Sequence, residues 1–508
     1  LSRFINLGWR GSNNIPEVKQ ISGVVYWEPS EGRLVLDGEK TKIKLHNLPA
    51  QTFDVFNADI YWKQLANGLR VDLDRFVLSS PSLTFSANGV LDNYRDPNSN
   101  IRLKAEFAAR EAQKFMSYIP SGYLKPKFEE WLKNEVKGIR SLSGRMVVNG
   151  SVDGFPYDTL PGEFTINSHV SGVDIAVNKD WPLNREIDAD LEFNKRSFVA
   201  NVGYAKLKEL QINKLNLAVN NIGYGTESLL IHGEVEAPGR DIKSYIYATP
   251  LRNRLSRWQT IDIDEEFWLD IQLDIPLYAE NDHVSSLGEM VFSENPVTLN
   301  LLKDKVHIKE VTGSLKFNEY GLTGGSLTGF LDGEPLSLHA RAMIEPQERT
   351  VLAVNGDTSM DMLYKLTNLN ALSLFSGSCN VSGVWTIYPS VENRDTIHLN
   401  TNLEGVAIAL PEPLHKTPQE KVNLSADVVF LDKQRIESKI KYNDIVSTKL
   451  LFSGNADTFS FSKGELKIGG DIASLPEHDG LKVSGEITNF NFDDWRSAFM
   501  KLSQGGSK

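Results

Sequence analysis

Apolar and polar residues alternate along most of this chain. Ile101 to Phe107, Ile187 to Phe193 and Phe267 to Ile275 follow this pattern, with Trp268 alone on the polar phase. Successive side chains of a strand point to opposite faces, so each of these segments predicts a strand with one apolar and one polar face. Such strands are typical of antiparallel sheets that bury one side and leave the other in water. No strand–helix–strand rhythm appears, which argues against a parallel α/β fold.

One sequence pattern occurs twice, and a weaker copy lies between the two. Repetition on this scale indicates that one supersecondary unit is used again to build an extended architecture. The segments of the first copy are Gly172 to Val177, Pro182 and Ala189 to Phe193; those of the last are Gly405 to Leu410, Pro413 and Ala426 to Phe430; those of the middle copy are Val297 to Leu301 and Gly313 to Phe317.

Four short stretches with helical spacing interrupt the strands, near 110–138, 240–258, 357–370 and 493–503. The first stretch predicts a helix that starts at Pro126 and ends at Gly138. Asn88-Gly89 and Asp332-Gly333 are predicted turns. The spacing predicts four modules, each a run of strands closed by helices, which we place at 1–138, 139–258, 259–375 and 376–508.

No low-complexity linker separates these modules, which favours one continuous sheet over separate domains with core-covering helices. The fold class predicted is therefore mainly β: an elongated, curved antiparallel sheet, folded over to form a groove, with a few short amphipathic helices. A sheet sandwich with a dry core remains the alternative, because alternation alone does not distinguish the two.

Charge and composition exclude several classes of partner. The 508 residues carry a net charge of −12, which argues against a nucleic-acid partner, since phosphate binding needs a basic face. Cys379 is the one cysteine, so neither an intrachain disulfide nor a cysteine-rich zinc site is possible. No apolar run approaches the roughly 18 residues of a membrane span, and Leu1 begins no signal-peptide pattern. We expect a soluble fragment whose targeting or anchoring segment lies upstream.

No group of residues suggests catalysis. The histidines show no metal-ligand spacing, and the acidic cluster from Asp262 to Glu266 lacks the glycine and distal glutamate of a calcium loop. The glycines between Gly321 and Gly329 are not followed by the lysine of a phosphate-binding loop. The prediction is a protein without enzymatic activity, without a metal site and without a cofactor.

Several short segments resemble the YhdP group of AsmA-like proteins. They are Asn149 to Tyr157, the Trp181-Pro182 pair, Gly333 to Leu338, Gly405 to Lys416 and Phe492 to Trp495. The similarity runs from about residue 20 to the end, and the order and spacing of the segments are its most specific aspect. This chain differs from the family in that it lacks a membrane helix and is much shorter than a full member.

The resemblance implies a Gram-negative envelope protein, with an inner-membrane helix followed by a long periplasmic β-structure. It also implies a relation to bridge-like lipid-transfer proteins, whose folded-over sheet holds phospholipids in a hydrophobic groove. The expected function is phospholipid transport between the inner and outer membranes, and hence a role in the outer-membrane permeability barrier. A structural periplasmic scaffold that assists outer-membrane assembly by strand addition is the alternative. Envelope protein partners, lipid species and direction of transport are left open.

The lipid-groove candidates are the apolar phase of the repeats, and an ordinary dry core is the alternative role for the same residues. The candidates are Val173, Ile175, Val177, Ala189, Leu191, Phe193, Leu315, Phe317, Val406, Ile408, Leu410, Leu424, Val428 and Phe430. Four aromatic residues of the helical stretches either gate the slot or cap sheet edges. These are Phe128, Trp131, Trp258 and Trp495.

Overall fold

The structure is a computed structural model. It describes residues 1–12, 16–44, 50–66, 68–94, 96, 98–112, 130, 133–177, 179–249, 252, 261–277, 284–301, 304–345, 347–367, 370–388, 394–432, 434–455, 458–469, 472–487 and 490–504. The chain divides into two compact units. Unit 1 comprises Leu1–Val235, Asp241–Arg252 and Ile271–Ser285, and unit 2 comprises Glu236–Arg240, Asn253–Asp270 and Ser286–Lys508.

Unit 1 is a sheet of antiparallel strands in which each strand pairs with the next along the chain, and β12 and β13 pair with successive parts of β11. Its strands are β1 Ser2–Trp9, β2 Glu17–Trp27, β3 Glu31–Lys44, β4 Gln51–Leu65, β5 Gly68–Ser80, β6 Leu83–Tyr94, β7 Asn100–Arg110, β8 Val136–Ser151, β9 Gly162–Ile175, β10 Asn184–Asn194, β11 Ser197–Leu207, β12 Leu210–Ile212, β13 Leu215–Val219 and β14 Ser228–Pro238, the last three residues of which belong to unit 2.

In unit 2 the strand pairs up to β28 are also antiparallel, and most strands pair with the next one along the chain. The exceptions are β15, which pairs with β17, β24, which pairs with β22 beside β23, and β25, which pairs with β23. Its strands are β15 Ile261–Ile263, β16 Glu266–Pro276 (which unit 1 shares), β17 Ser285–Leu301, β18 Asp304–Asn318, β19 Gly321–Leu331, β20 Glu334–Met343, β21 Arg349–Ser359, β22 Phe375–Ile387, β23 Thr396–Thr401, β24 Val406–Ile408, β25 Leu424–Phe430, β26 Arg435–Tyr442, β27 Val446–Asn455, β28 Thr458–Ile468 and β29 Gly480–Gly485.

The α-helices among the described residues are short: α1 Gly239–Tyr247, α2 Met360–Thr367 and α3 Phe492–Gln504. Each lies in a stretch where the sequence predicts a helix. Residues 113–129, with Phe128, lie outside the described residues, as do Trp131 and Trp258, whereas Glu130 and residues 133–135 of the first predicted stretch are helical. The predicted fold class, mainly β on antiparallel pairing with a few short helices, is confirmed.

The sequence repeat is also a structural repeat. In both copies the glycine has a positive φ, +61° at Gly172 and +92° at Gly405, a region that an L side chain seldom adopts. The alanine of each copy pairs with a residue of the strand before it, Ala189 with Val170 and Ala426 with Leu399. The second copy is longer, because Ala426 follows Gly405 by 21 positions, whereas Ala189 follows Gly172 by 17.

Two local predictions are wrong. Gly138 does not end a helix; it pairs with Asp174 within the β8–β9 ladder. Asn88-Gly89 is not a turn, because both residues pair with β7 inside an unbroken ladder that outweighs their turn propensity. One strand pair departs from the antiparallel pattern: β29 runs parallel to β28, from Gly480 opposite Lys463 to Gly485 opposite Ile468.

Candidate functional site

The apolar phase of unit 1 forms transverse rows, because residues directly opposite each other on neighbouring strands point to the same face. Ala189, Leu191 and Phe193 each belong to one of three adjacent rows. The Leu191 row is Phe56, Leu78, Phe85, Phe107, Gly144, Ser168, Leu191, Ala200, Leu217 and Ile231. The Phe193 row is Ala58, Phe76, Ala87, Ala105, Met146, Ile166, Phe193, Phe198, Val219 and Leu229.

Around Leu191, burial on this face runs opposite to side-chain size, whereas Phe56 and Ala58 on β4 are both buried in a closed cluster with Val18 and Ile21. Ala105 and Ala189 are 2% and 4% exposed, whereas the larger Phe107, Leu191 and Phe193 are only half-buried. In a core closed by a second layer, large apolar side chains are among the most buried. Here the small residues are shielded by their neighbours, while the tips of the large ones stay accessible. The face therefore presents apolar surface that a ligand can cover.

The Leu191 row contains one glycine, Gly144. A β-carbon placed on Gly144 would lie 2.8 Å from Cζ of Phe107 and 2.5 Å from the carbonyl oxygen of Asn167, so a side chain does not fit there. Ser168 follows Gly144 in the row, and Leu191 follows Ser168. The ring of Phe107 therefore extends over Gly144, and the glycine allows this close approach.

Unit 2 carries an equivalent row, which contains Leu315 and Val428. The Val428 row is Met290, Leu315, Gly325, Ala340, Leu352, Trp385, Ile397, Val428, Ser438, Leu450, Gly464 and Leu481. Gly325 and Ala340 are two small residues of this row, and they lie between Leu315 and Leu352. Ile397 and Val428 are half-buried, as Leu191 is in unit 1.

Another part of unit 2 is a closed core. Val406 and Ile408 are 0% and 2% exposed and cluster with Met360 of α2, Tyr442 and Ile468. Leu363 of α2 and the candidates Leu410 and Leu424 pack against this cluster. The helix covers the apolar residues at the ends of β24, β26 and β28, and these residues are dry as a result.

The remaining candidates lie between these extremes. Val173, Ile175, Val177, Phe317 and Phe430 are half-buried, while Leu315 is 7% exposed. Val173 pairs with Ile139 and Ile187, and Phe430 pairs with Ile436. Trp495, the described member of the four helical aromatics, is 9% exposed and stacks on Phe490.

The polar phase carries cross-strand ion pairs, and one of them is duplicated with the repeat. His169 Nδ1 lies 2.8 Å from Asp190 Oδ1, and His398 Nδ1 lies 2.6 Å from Asp427 Oδ1. The aspartates follow the repeat alanines directly, so the pairs occupy equivalent places. Sequence analysis missed them, because neither histidine has its partner nearby in the chain. Only the repeat of Ala-Asp at 189 and 426 gave a signal.

Two concave surfaces are lined largely by this polar phase. One of about 770 Å³ in unit 1 is lined by Glu106, Arg145 and other polar residues, together with Phe107 and Leu191 of the Leu191 row. The other, of about 600 Å³ in unit 2, is lined by amide, hydroxyl and charged side chains and by the candidate Leu424. A twisted sheet is saddle-shaped, so each face has a concave direction. The surface in unit 1 is therefore mixed in composition, and the one in unit 2 is mainly polar.

Buried charged groups in unit 2 hold the chain in place. Glu465 accepts hydrogen bonds from Lys482 Nζ at 2.8 Å, from Ser474 N at 2.7 Å and from Ser484 Oγ at 2.9 Å. These contacts, with Lys482 the largest, lower its pKa to about 2. Lys416 is 1% exposed and donates to the carbonyl oxygens of Val406 and Thr417 at 2.7 and 2.9 Å. Burial lowers its pKa.

Both groups have structural positions. Glu465 ties β28 to β29 and to the segment that joins them, and Lys416 closes the loop after the second repeat motif. Among the described residues, no cluster of histidine, cysteine, aspartate or glutamate has the geometry to hold a metal ion. Within the same part of the chain, no helix combines the length and apolar character that crossing a membrane requires.

Comparisons with known proteins give one family. The family model described as "YhdP protein" matches residues 1–508. The intermembrane phospholipid transporter YhdP of Escherichia coli (strain K12) is 21% identical to this chain over 429 residues, which are 83% of this chain and 33% of that protein. The chain thus spans about a third of the length of this relative. No solved structure matches.

Proposed function

This chain belongs to the YhdP family, and we propose that it carries the acyl chains of phospholipids along the apolar face of its sheet, without chemical turnover. The observation that supports this most is the half-buried state of Leu191 and Phe193, beside fully buried alanines, on a face that is continuous from strand to strand. The relative in Escherichia coli, a phospholipid transporter by name, supports the same substrate class.

An apolar face suits this task for an energetic reason. Transfer of an acyl chain of about sixteen carbons into water costs roughly 13 kcal/mol of free energy, at about 0.8 kcal/mol per CH₂. Desorption of a two-chain lipid is therefore very slow. A row such as Met146, Ile166, Phe193 and Phe198 offers apolar contact at each strand, about 4.8 Å apart, so that a chain moves along it without full exposure to water.

We assign the slot to four of the half-buried candidates, Leu191 and Phe193 in unit 1 and Val428 and Phe430 in unit 2. Val406 and Ile408 belong to the closed cluster under α2, where an acyl chain has no room. We place the protein in the periplasm, between the inner and outer membranes. The family and the name of the relative support this location.

Site-specific photo-crosslinking tests the assignment. A crosslinker at Leu191 or Val428 should capture phospholipid in cells, and one at the adjacent polar-phase positions Asp190 or Asp427 should not. Ile408 is a control for a buried position and should capture protein only. Capture at Asp190 equal to that at Leu191 would show that the lipid does not follow the apolar phase.

A structural scaffold is the second candidate, and one observation favours it. β29 lies at the edge of its ladder, and its apolar residues Leu481 and Val483 are 54% and 55% exposed. An exposed edge strand can accept a strand of a client protein. Extraction of the purified protein followed by mass spectrometry separates the two functions, since a scaffold carries no stoichiometric phospholipid.

A further inference from the structure

Trp385 is an exception in the Val428 row. It lies between Leu352 and Ile397, on the apolar phase of β22. Its indole N–H is fully buried and has no hydrogen-bond acceptor. A buried donor without a partner is destabilising, and native structures seldom keep one without a reason.

The composition of the row limits which groups can accept a hydrogen bond from the indole N–H of Trp385. Apart from Trp385, Ser438 is the residue of the Val428 row whose side chain has a polar group, and it lies beyond Ile397 and Val428. Phenylalanine would fill a similar apolar volume at position 385 without an unpaired donor. Since water does not reach the indole N–H, its acceptor has to arrive as part of a largely apolar molecule.

We propose that the indole N–H of Trp385 donates a hydrogen bond to an ester carbonyl of the bound phospholipid. This contact fixes the position of the glycerol along the Val428 row in unit 2. This inference rests on the proposed lipid-carrying function and makes it more specific. The ester carbonyl is the acceptor that joins directly to the acyl chain, so it enters the row together with the chain that parts the side chains above Trp385.

The half-buried part of the row lies on the side of β23. One leaflet of a bilayer core is about 15 Å thick, half of roughly 30 Å, which corresponds to about three strand spacings of ~4.8 Å. From Trp385 towards β23, the row passes Ile397 and Val428, which are half-buried, and then reaches Ser438. An acyl chain whose ester lies at Trp385 therefore follows Ile397 and Val428, because Leu352 and Ala340 on the side of β21 are each only 7% exposed.

Competition between an ester and an ether lipid tests this contact. The purified protein is incubated with equal amounts of dipalmitoyl phosphatidylcholine and its di-O-hexadecyl analogue, which lacks the carbonyls, in detergent micelles. The bound ratio is then measured by extraction and mass spectrometry. One neutral hydrogen bond corresponds to about a five-fold preference. We expect about five-fold enrichment of the ester lipid on the wild-type protein and equal binding on Trp385→Phe.

Trp62→Phe is the matched control. Trp62 lies opposite Val71 in unit 1 and its indole N–H is not buried without an acceptor, so this variant should keep the wild-type ratio. Because each ratio is measured within one protein, a loss of total binding or stability does not mimic the effect. Equal binding of both lipids by the wild type, or an unchanged ratio on Trp385→Phe, overturns the contact. Recovery of neither lipid from the wild type overturns the proposed function, and the contact with it.

Discussion

Truncation of one residue in the closed cluster and one in the slot should lower the stability by different amounts. Ile408→Ala removes three carbons from a side chain that is 2% exposed. At about 0.8 kcal/mol for each, the transfer term is ~2.4 kcal/mol. The cluster of Met360, Tyr442 and Ile468 encloses the site, so a cavity term adds to it. We expect destabilisation of about 3 to 4 kcal/mol, within the ~2–5 kcal/mol range for such substitutions.

Leu191→Ala also removes three carbons, but its side chain is half-buried on a face without an enclosing layer. About half of the transfer term applies, and no closed cavity forms, so the expected cost is ~1 kcal/mol. For a unit of roughly 250 residues, 1 kcal/mol corresponds to about 2–4 °C in melting temperature. Ile408→Ala should then lower the melting temperature by roughly 6–16 °C, and Leu191→Ala by about 3 °C.

The variant that loses less stability should lose more bound lipid. Leu191→Ala should reduce the phospholipid recovered with the purified protein, whereas Ile408→Ala, measured well below its melting temperature, should not. Thermal unfolding by circular dichroism and lipid extraction are carried out on the same samples. Equal melting temperatures for the two variants, or a larger loss of lipid from Ile408→Ala, would refute the division between closed cluster and slot.

Three further substitutions test buried polar groups. Glu465 has its pKa lowered to about 2, so its contribution to stability is complete above about pH 4.5 and is lost as the pH falls towards 2; acid denaturation of Glu465→Gln should lack this component. Lys416 has a lowered pKa, so stability should rise with pH between its folded pKa and about 10.5; Lys416→Met should lose this rise in alkaline denaturant titrations. Tyr245 donates to Asn184 Oδ1 at 3.1 Å, and Tyr245→Phe should cost about 1 kcal/mol in urea unfolding, unless water replaces the hydroxyl, in which case stability stays unchanged.

Local alternation determined much of the fold. The burial pattern of β7, in which Ile101, Leu103, Ala105 and Phe107 are less exposed than the residues between them, follows directly from the sequence. The phase of Ala189, Leu191 and Phe193 follows in the same way, because side-chain direction in a strand depends only on parity. The repeat predicted that Gly172 and Gly405 occupy equivalent places, and both have a positive φ.

Long-range contacts decided the rest. The parallel pairing of β28 and β29 depends on a chain reversal and on Glu465, neither of which has a periodic signal. The acceptor missing at Trp385 and the pairing of His169 with Asp190 depend on strand register. A pattern of alternating residues states which face a side chain is on and contains no information about what lies over that face.

The two copies of the motif illustrate this division. Ile175 and Ile408 have the same place in the sequence pattern, yet the first is half-buried and the second is 2% exposed. The difference comes from Met360 and Leu363 of α2, which pack over the second copy from a position far away in the chain. The sequence by itself determined that both residues are on the apolar face. Only the tertiary structure decided which one is covered, because burial depends on a second layer that local periodicity does not encode.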